Sequence, residues 1–180
     1  MDAQSYTRTA KAFHWLLALM ILGSLSLGWY MTELPVSPQR LKLINWHKWA
    51  GITILSLSAL RLLWRLTHPA PPLPDALPAW QKTASHASHA ALYVLFFAVP
   101  LIGWAYSSAA GFPIVWFGLL ALPDWVPKDR ALAEAIKPFH AYAAYTLAAI
   151  IGVHVLAALK HRFIDRDSVL ARMLPLTSRS

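Results

Sequence analysis

His140-Ala-Tyr-Ala-Ala-Tyr-Thr-Leu-Ala-Ala-Ile-Ile-Gly-Val-His154 is an apolar run of helix length with a histidine at each end. Fourteen residues separate the two histidines. At about 3.6 residues per turn that is just under four turns, so both imidazoles project from one face. A rise of about 1.5 Å per residue sets them roughly 21 Å apart along the axis. The hydrocarbon core of a bilayer is about 30 Å thick. One helix would thus offer a ligand near each membrane surface, and the rest of the chain decides what meets it.

Of the 180 residues 57% are hydrophobic and 13% charged. The apolar residues fall in long blocks, the pattern of a membrane protein. The length accommodates one domain of four spanning helices with short connections. There is no cysteine, which removes disulfides, iron–sulfur clusters, thiolate zinc sites and the C-x-x-C-H attachment of a c-type haem; any haem would be held non-covalently. The net charge of +8 raises the question of nucleic acid. However, the basic residues flank apolar runs rather than forming a stripe on a soluble face, so they are topology signals and no nucleic-acid partner is expected.

In order along the chain, the expected spans cover residues 9–31, 42–66, 85–107 and 131–162, one transmembrane domain over 1–180. Met1 to Lys11 precede an apolar run without a small-residue cleavage site, so the first span is expected to be retained. Pro35 and Pro38 mark a turn, and Pro69, Pro71, Pro72 and Pro74 a stiff loop. The apolar stretch Gly111 to Pro123 is too short to span and is punctuated by Gly and Pro, so it is expected to lie at an interface or re-enter over one end of the bundle. No internal repeat or low-complexity region stands out.

Four spans put both termini on one side. With them fall Arg8, Lys11, Arg61, Arg65, Lys82, Lys160, Arg162, Arg166, Arg172 and Arg179, against Arg40, Lys42, Lys48, Lys128, Arg130 and Lys137 on the other. The positive-inside rule then predicts cytoplasmic termini. Tryptophans 29, 46, 49, 104, 116 and 125 gather toward the opposite surface, as an interfacial belt would.

A histidine inside a span is a functional candidate by default. His68 falls in a loop on the terminal side; the other seven sort into two layers. His47 and His140 share the outer layer, and His14 and His154 the inner one. A porphyrin iron takes axial ligands from opposite sides, and facing helices of a bundle supply them. Two such pairs are what two stacked, bis-histidine b-type haems require. The plainer reading is interfacial histidines satisfied by headgroups, water or hydroxyls. Zinc is disfavoured, since each layer offers too few ligands and no nearby carboxylate.

Arg61 lies fourteen residues after His47, on the same face at the inner level. It is either a partner for haem propionates or a positive-inside anchor. Gly28, fourteen after His14, and Gly51, a turn after His47, either let a porphyrin approach the backbone or form helix–helix contacts. His86, His89 and His161 add imidazoles beyond what one iron needs. They suit a quinone site, as hydrogen-bonding and proton-exchanging groups. Alternatively His89 replaces His14 as ligand, or these histidines are interfacial.

Phe13-His14-Trp15-Leu16, Ile44-Asn45-Trp46-His47, Arg61 through Pro72, Ser85-His86-Ala87-Ser88-His89 with Tyr93, His140 to His154, His161 and Leu170-Ala171-Arg172-Met173-Leu174-Pro175 together resemble one family. It is the bacterial di-haem cytochrome b561 family, related to the membrane cytochrome b subunits of nickel hydrogenases and formate dehydrogenases. The resemblance covers essentially the whole chain. It implies an all-α four-helix membrane bundle enclosing two haem b groups, in the bacterial inner membrane. It also implies the ligand pairs His47 with His140 and His14 with His154, with quinone near His86, His89 and His161. Short stand-alone members are implied to oxidise periplasmic superoxide and reduce ubiquinone. The alternatives are a non-catalytic electron-transfer subunit docked through its basic outer loops to a periplasmic dehydrogenase or hydrogenase, and a purely structural four-helix protein.

Overall fold

The computed structural model describes residues 5–75 and 77–174. Met1 to Gln4, Pro175 and Arg179, which entered the reading above, lie outside them. Four helices dominate: α1 (Arg8–Glu33), α2 (Pro38–Thr67), α3 (Ala79–Ala109) and α4 (Arg130–Phe163). All four are long and apolar enough to cross a membrane. At about 1.5 Å per residue each exceeds a 30 Å hydrocarbon layer, so their ends stand in the interfacial zones.

Local chemistry sets the helix starts. Thr7 Oγ1 accepts from Ala10 N–H at 3.2 Å, Ser37 Oγ from Arg40 N–H at 3.2 Å, and Asp129 Oδ1 from Leu132 N–H at 3.1 Å. These are N-caps that satisfy first-turn donors. Pro38 then occupies the first helical position of α2, where its missing N–H costs nothing. The helix ends at Thr67, before the proline-rich loop.

In sequence order α1 packs on α2, α2 on α3 and α3 on α4. Midway along the bundle lies an apolar layer of Leu17, Ile21, Ile54, Leu92, Phe96 and Leu147. Ile21, Ile54 and Leu147 each sit seven residues after a histidine (His14, His47, His140), about two turns along the same face. The histidine levels are therefore separated by packed hydrocarbon, which in lipid holds helices together through van der Waals contact.

The stretch after α3 is a short β-hairpin, not a helix. Val115–Trp116 (β1) pairs antiparallel with Leu120–Ala121 (β2), and Phe117 and Gly118 turn the chain with φ of 51° and 74°. It docks on α2: Trp49 Nε1 donates to Val115 O at 2.6 Å, Lys48 Nζ to Phe112 O at 2.9 Å, and Trp116 Nε1 to Thr53 Oγ1 at 3.2 Å. At the opposite end a 3₁₀ turn, Ala171–Met173, draws the two ends of the described chain together. There Ser5 Oγ and Tyr6 N–H donate to Arg172 O, Trp15 Nε1 donates to Met173 O at 2.9 Å, and buried Arg172 donates to Pro72 O at 2.9 Å.

Candidate functional site

At the hairpin end, His47 of α2 and His140 of α4 face each other, ring centres 6.1 Å apart and planes at 81°. At the terminal end, His14 of α1 and His154 of α4 do the same at 6.2 Å and 74°. With a metal–imidazole bond of about 2.0–2.1 Å and a ring centre roughly 1.1 Å behind its nitrogen, two imidazoles on opposite sides of one metal lie a little over 6 Å apart. Both separations fit a single iron between two rings.

The two rings at the hairpin end are also held in place by backbone carbonyls. His47 Nδ1 lies 3.1 Å from Ser24 O, and His140 Nδ1 lies 3.1 Å from Val99 O. A carbonyl can only accept, so each Nδ1 carries the proton and Nε2 keeps its lone pair. A backbone acceptor on the second nitrogen is the usual way a ligating imidazole is oriented and made more basic.

A glycine lies against each outer ring. A Cβ on Gly28 would stand 3.2 Å from His47 Cε1, and one on Gly103 only 2.8 Å from His140 Cε1. Gly28 therefore makes room for the imidazole itself, which revises the reading of it as an approach for porphyrin. A Cβ on Gly51 would stand 4.0 Å from Pro100 Cβ, ordinary contact distance between two helices.

The histidine layer at the terminal end holds a third imidazole. His89 of α3 lies with its ring centre 5.3 Å from that of His154, closer than two ligands across one iron would stand. Its Nδ1 is 2.6 Å from Ser85 O on its own helix. Arg61 is half-buried, with Nη2 3.5 Å from His14 Nδ1, at the outer limit of a hydrogen bond. Its guanidinium lies over the Tyr93 ring at 5.6 Å. His86 is exposed on α3, three residues before His89.

His161 is seven residues beyond His154, about 10 Å further toward the terminal surface. Its Nδ1 is 2.6 Å from Asp167 Oδ2 and 3.4 Å from Asp165 Oδ2. Asp167 is fixed in turn, since its Oδ1 accepts from Val169 N–H at 2.9 Å. Lys160 Nζ neutralises Asp165 at 2.5 Å. Sequence reasoning missed this carboxylate pair, although Asp165-Arg166-Asp167 directly after the last span was a visible signal. It also missed Ser24, Val99 and Gly103. Val99 acts through its backbone carbonyl, which leaves no mark on residue type, and Ser24 through its carbonyl with its hydroxyl 3.3 Å from the same His47 Nδ1.

Four apolar helices with imidazole pairs opposed at two levels, and no cysteine, are the architecture of a membrane b-type cytochrome. The chain belongs to the prokaryotic cytochrome b561 family, whose model matches residues 5–176. It is thus an integral bacterial membrane protein of a family that binds b-type haem and transfers electrons. It is 36% identical over 177 residues to cytochrome b561 homolog 2 of Escherichia coli (strain K12), covering 97% of this chain and 94% of that one. To the probable superoxide oxidase CybB of Yersinia pestis it is 33% identical over 177 residues, 96% and 97% of the two chains. Cytochrome b561 homolog 1 of Escherichia coli (strain K12) is 30% identical over 176 residues, 94% and 97%.

Proposed function

We propose that the chain binds two haem b groups, one between His47 and His140 and one between His14 and His154, and oxidises superoxide at one membrane face while reducing ubiquinone at the other. The observation that carries this reading is the matched pair of opposed imidazoles, 6.1 and 6.2 Å between ring centres. When bound, the haems supply one-electron relay between the two levels. The residues do the rest: they hold the irons, hold the charges and deliver protons. For each quinone, two superoxide anions lose one electron each to become dioxygen, and the quinone gains two electrons and two protons.

The name of the Yersinia pestis relative supports superoxide as donor. So do the cations of the hairpin end. Lys48, Lys128, Arg130 and Lys137 fall on the hairpin side of the bundle and would raise the local concentration of a small anion there; Lys48 Nζ donates to Phe112 O. Steering of this kind weakens as salt rises. At the inner level Arg61 would hold the haem propionates, and His86, His89 and His161 would offer hydrogen bonds and protons to the quinone. The Asp167 carboxylate fixes the tautomer of His161, leaving Nε2 to exchange protons with the cytoplasm. The excess of basic residues beside the termini supports cytoplasmic termini and a periplasmic hairpin.

Purified protein in detergent, supplied with a superoxide generator and a soluble ubiquinone analogue, is expected to reduce the quinone without any other protein, more slowly at high ionic strength. Failure of the isolated chain, together with co-purification of a dehydrogenase that restores activity, would assign it as a docked electron-transfer subunit instead. In the same assay His161→Gln is expected to slow quinone reduction by about 100-fold, at the low end of what a general acid contributes. Asp167→Asn should slow it less, and both variants should keep their full haem spectrum.

A further inference from the structure

The contacts that hold the outer rings reveal a register between the two halves of the bundle. His47 of α2 rests on Ser24 O and Gly28 of α1, and His140 of α4 rests on Val99 O and Gly103 of α3. In each case the carbonyl and the glycine are four residues apart, one helical turn. Aligning the halves on these contacts pairs His14 with His89, Leu17 with Leu92, and Gly28-Trp29 with Gly103-Trp104. On the second helices the hydroxyls match as well. Thr53 Oγ1 donates to Trp49 O and Thr146 Oγ1 to Tyr142 O, both at 2.8 Å, each hydroxyl six residues after its histidine. Two helical hairpins thus repeat in the same chain direction, as the parallel repeats known among membrane proteins do.

We propose that each hairpin carries the same positioning device, in which the first helix orients the outer-layer histidine of the second through a backbone carbonyl and a glycine one turn later. Gly28 and Gly103 are then positioning residues for the outer iron. The carbonyl fixes the proton on Nδ1 and the ring's rotation, and the missing Cβ lets the ring settle against the backbone. The inner layer has no such symmetry, because Arg61 of α2 occupies the place that His154 holds on α4. The device belongs to the outer site alone. This inference rests on the reading that His47 and His140 hold an iron.

The test is alanine at each glycine in the full haem-loaded chain, read by haem content, ferric electron paramagnetic resonance and redox titration. Alanine favours a helix over glycine, so a defect would not come from the helix itself. Gly103→Ala, where the approach is closest, is expected to weaken retention of the outer haem by about 10–100-fold, the usual cost of losing a partner that orients a metal-bound imidazole. Gly28→Ala should keep the haem but shift its resonance signal and potential, and it remains informative if Gly103→Ala does not assemble. Gly23→Ala and Gly152→Ala, which meet nothing within 4 Å, should match the unaltered protein. An unchanged outer signal in both Gly28→Ala and Gly103→Ala overturns the device. If His140→Leu also fails to remove a haem, the ligand reading itself falls; if it removes one, only the device does.

Discussion

His140→Leu is expected to purify with half the haem of the unaltered chain and with superoxide-driven quinone reduction at background. Leucine is a strong helix former, so α4 should persist and keep His154 in place. The outer ring would lose its opposed partner, and His47 alone would leave an iron five-coordinate. The remaining haem should be the inner one, with its spectrum unshifted, since about four helical turns and the apolar layer of Ile54 and Leu147 separate the two sites. A pyridine haemochrome assay against protein concentration measures the content directly. His47→Leu should give the same result.

The second large effect concerns the layer at the terminal end, where three imidazoles lie close together and the proposed iron would take two. His14→Leu and His154→Leu are each expected to remove the inner haem, while His89→Leu should keep both haems and slow only quinone reduction. The discriminating geometry is the spacing: 6.2 Å between the rings of His14 and His154, but 5.3 Å between those of His89 and His154. The ring planes of the two pairs are near-perpendicular, at 74° and 81°, and an iron held between them would have its two π-type d orbitals almost degenerate. Both haems should therefore give strongly anisotropic low-spin resonance signals. Loss of the inner signal in His89→Leu, with its retention in His14→Leu, would reassign the ligand to His89.

Much of this architecture was legible in the chain itself, because lipid imposes length and polarity on every span. The level of each histidine followed from its place in its span and from the up-down order of helices, and the rings of His47 and His140 and of His14 and His154 indeed lie opposite one another. The repeat was not legible. Its halves share few residue types, and its register rests on contacts to Ser24 O and Val99 O that any residue could make. Gly28-Trp29 and Gly103-Trp104, each fourteen residues after a histidine, and Thr53 and Thr146, each six after one, carried a trace of it. The β-hairpin escaped for a different reason: strands of two residues are too short to show a period. Asp167 acts on His161 only because the chain turns back after α4.

The separation of the two histidine levels on α4 has an electrical consequence. Levels roughly 21 Å apart in a hydrocarbon layer of about 30 Å span some 70% of the membrane's voltage drop. An electron passing from the hairpin level to the terminal level would do work of about 1.6 kcal/mol for every 100 mV, with the terminal side negative. In the proposed orientation each turnover therefore charges the membrane, and the proton taken up on the terminal side adds to the same gradient. Oxidising a toxic anion would then conserve part of its energy, and the steady rate should fall as the resting potential rises.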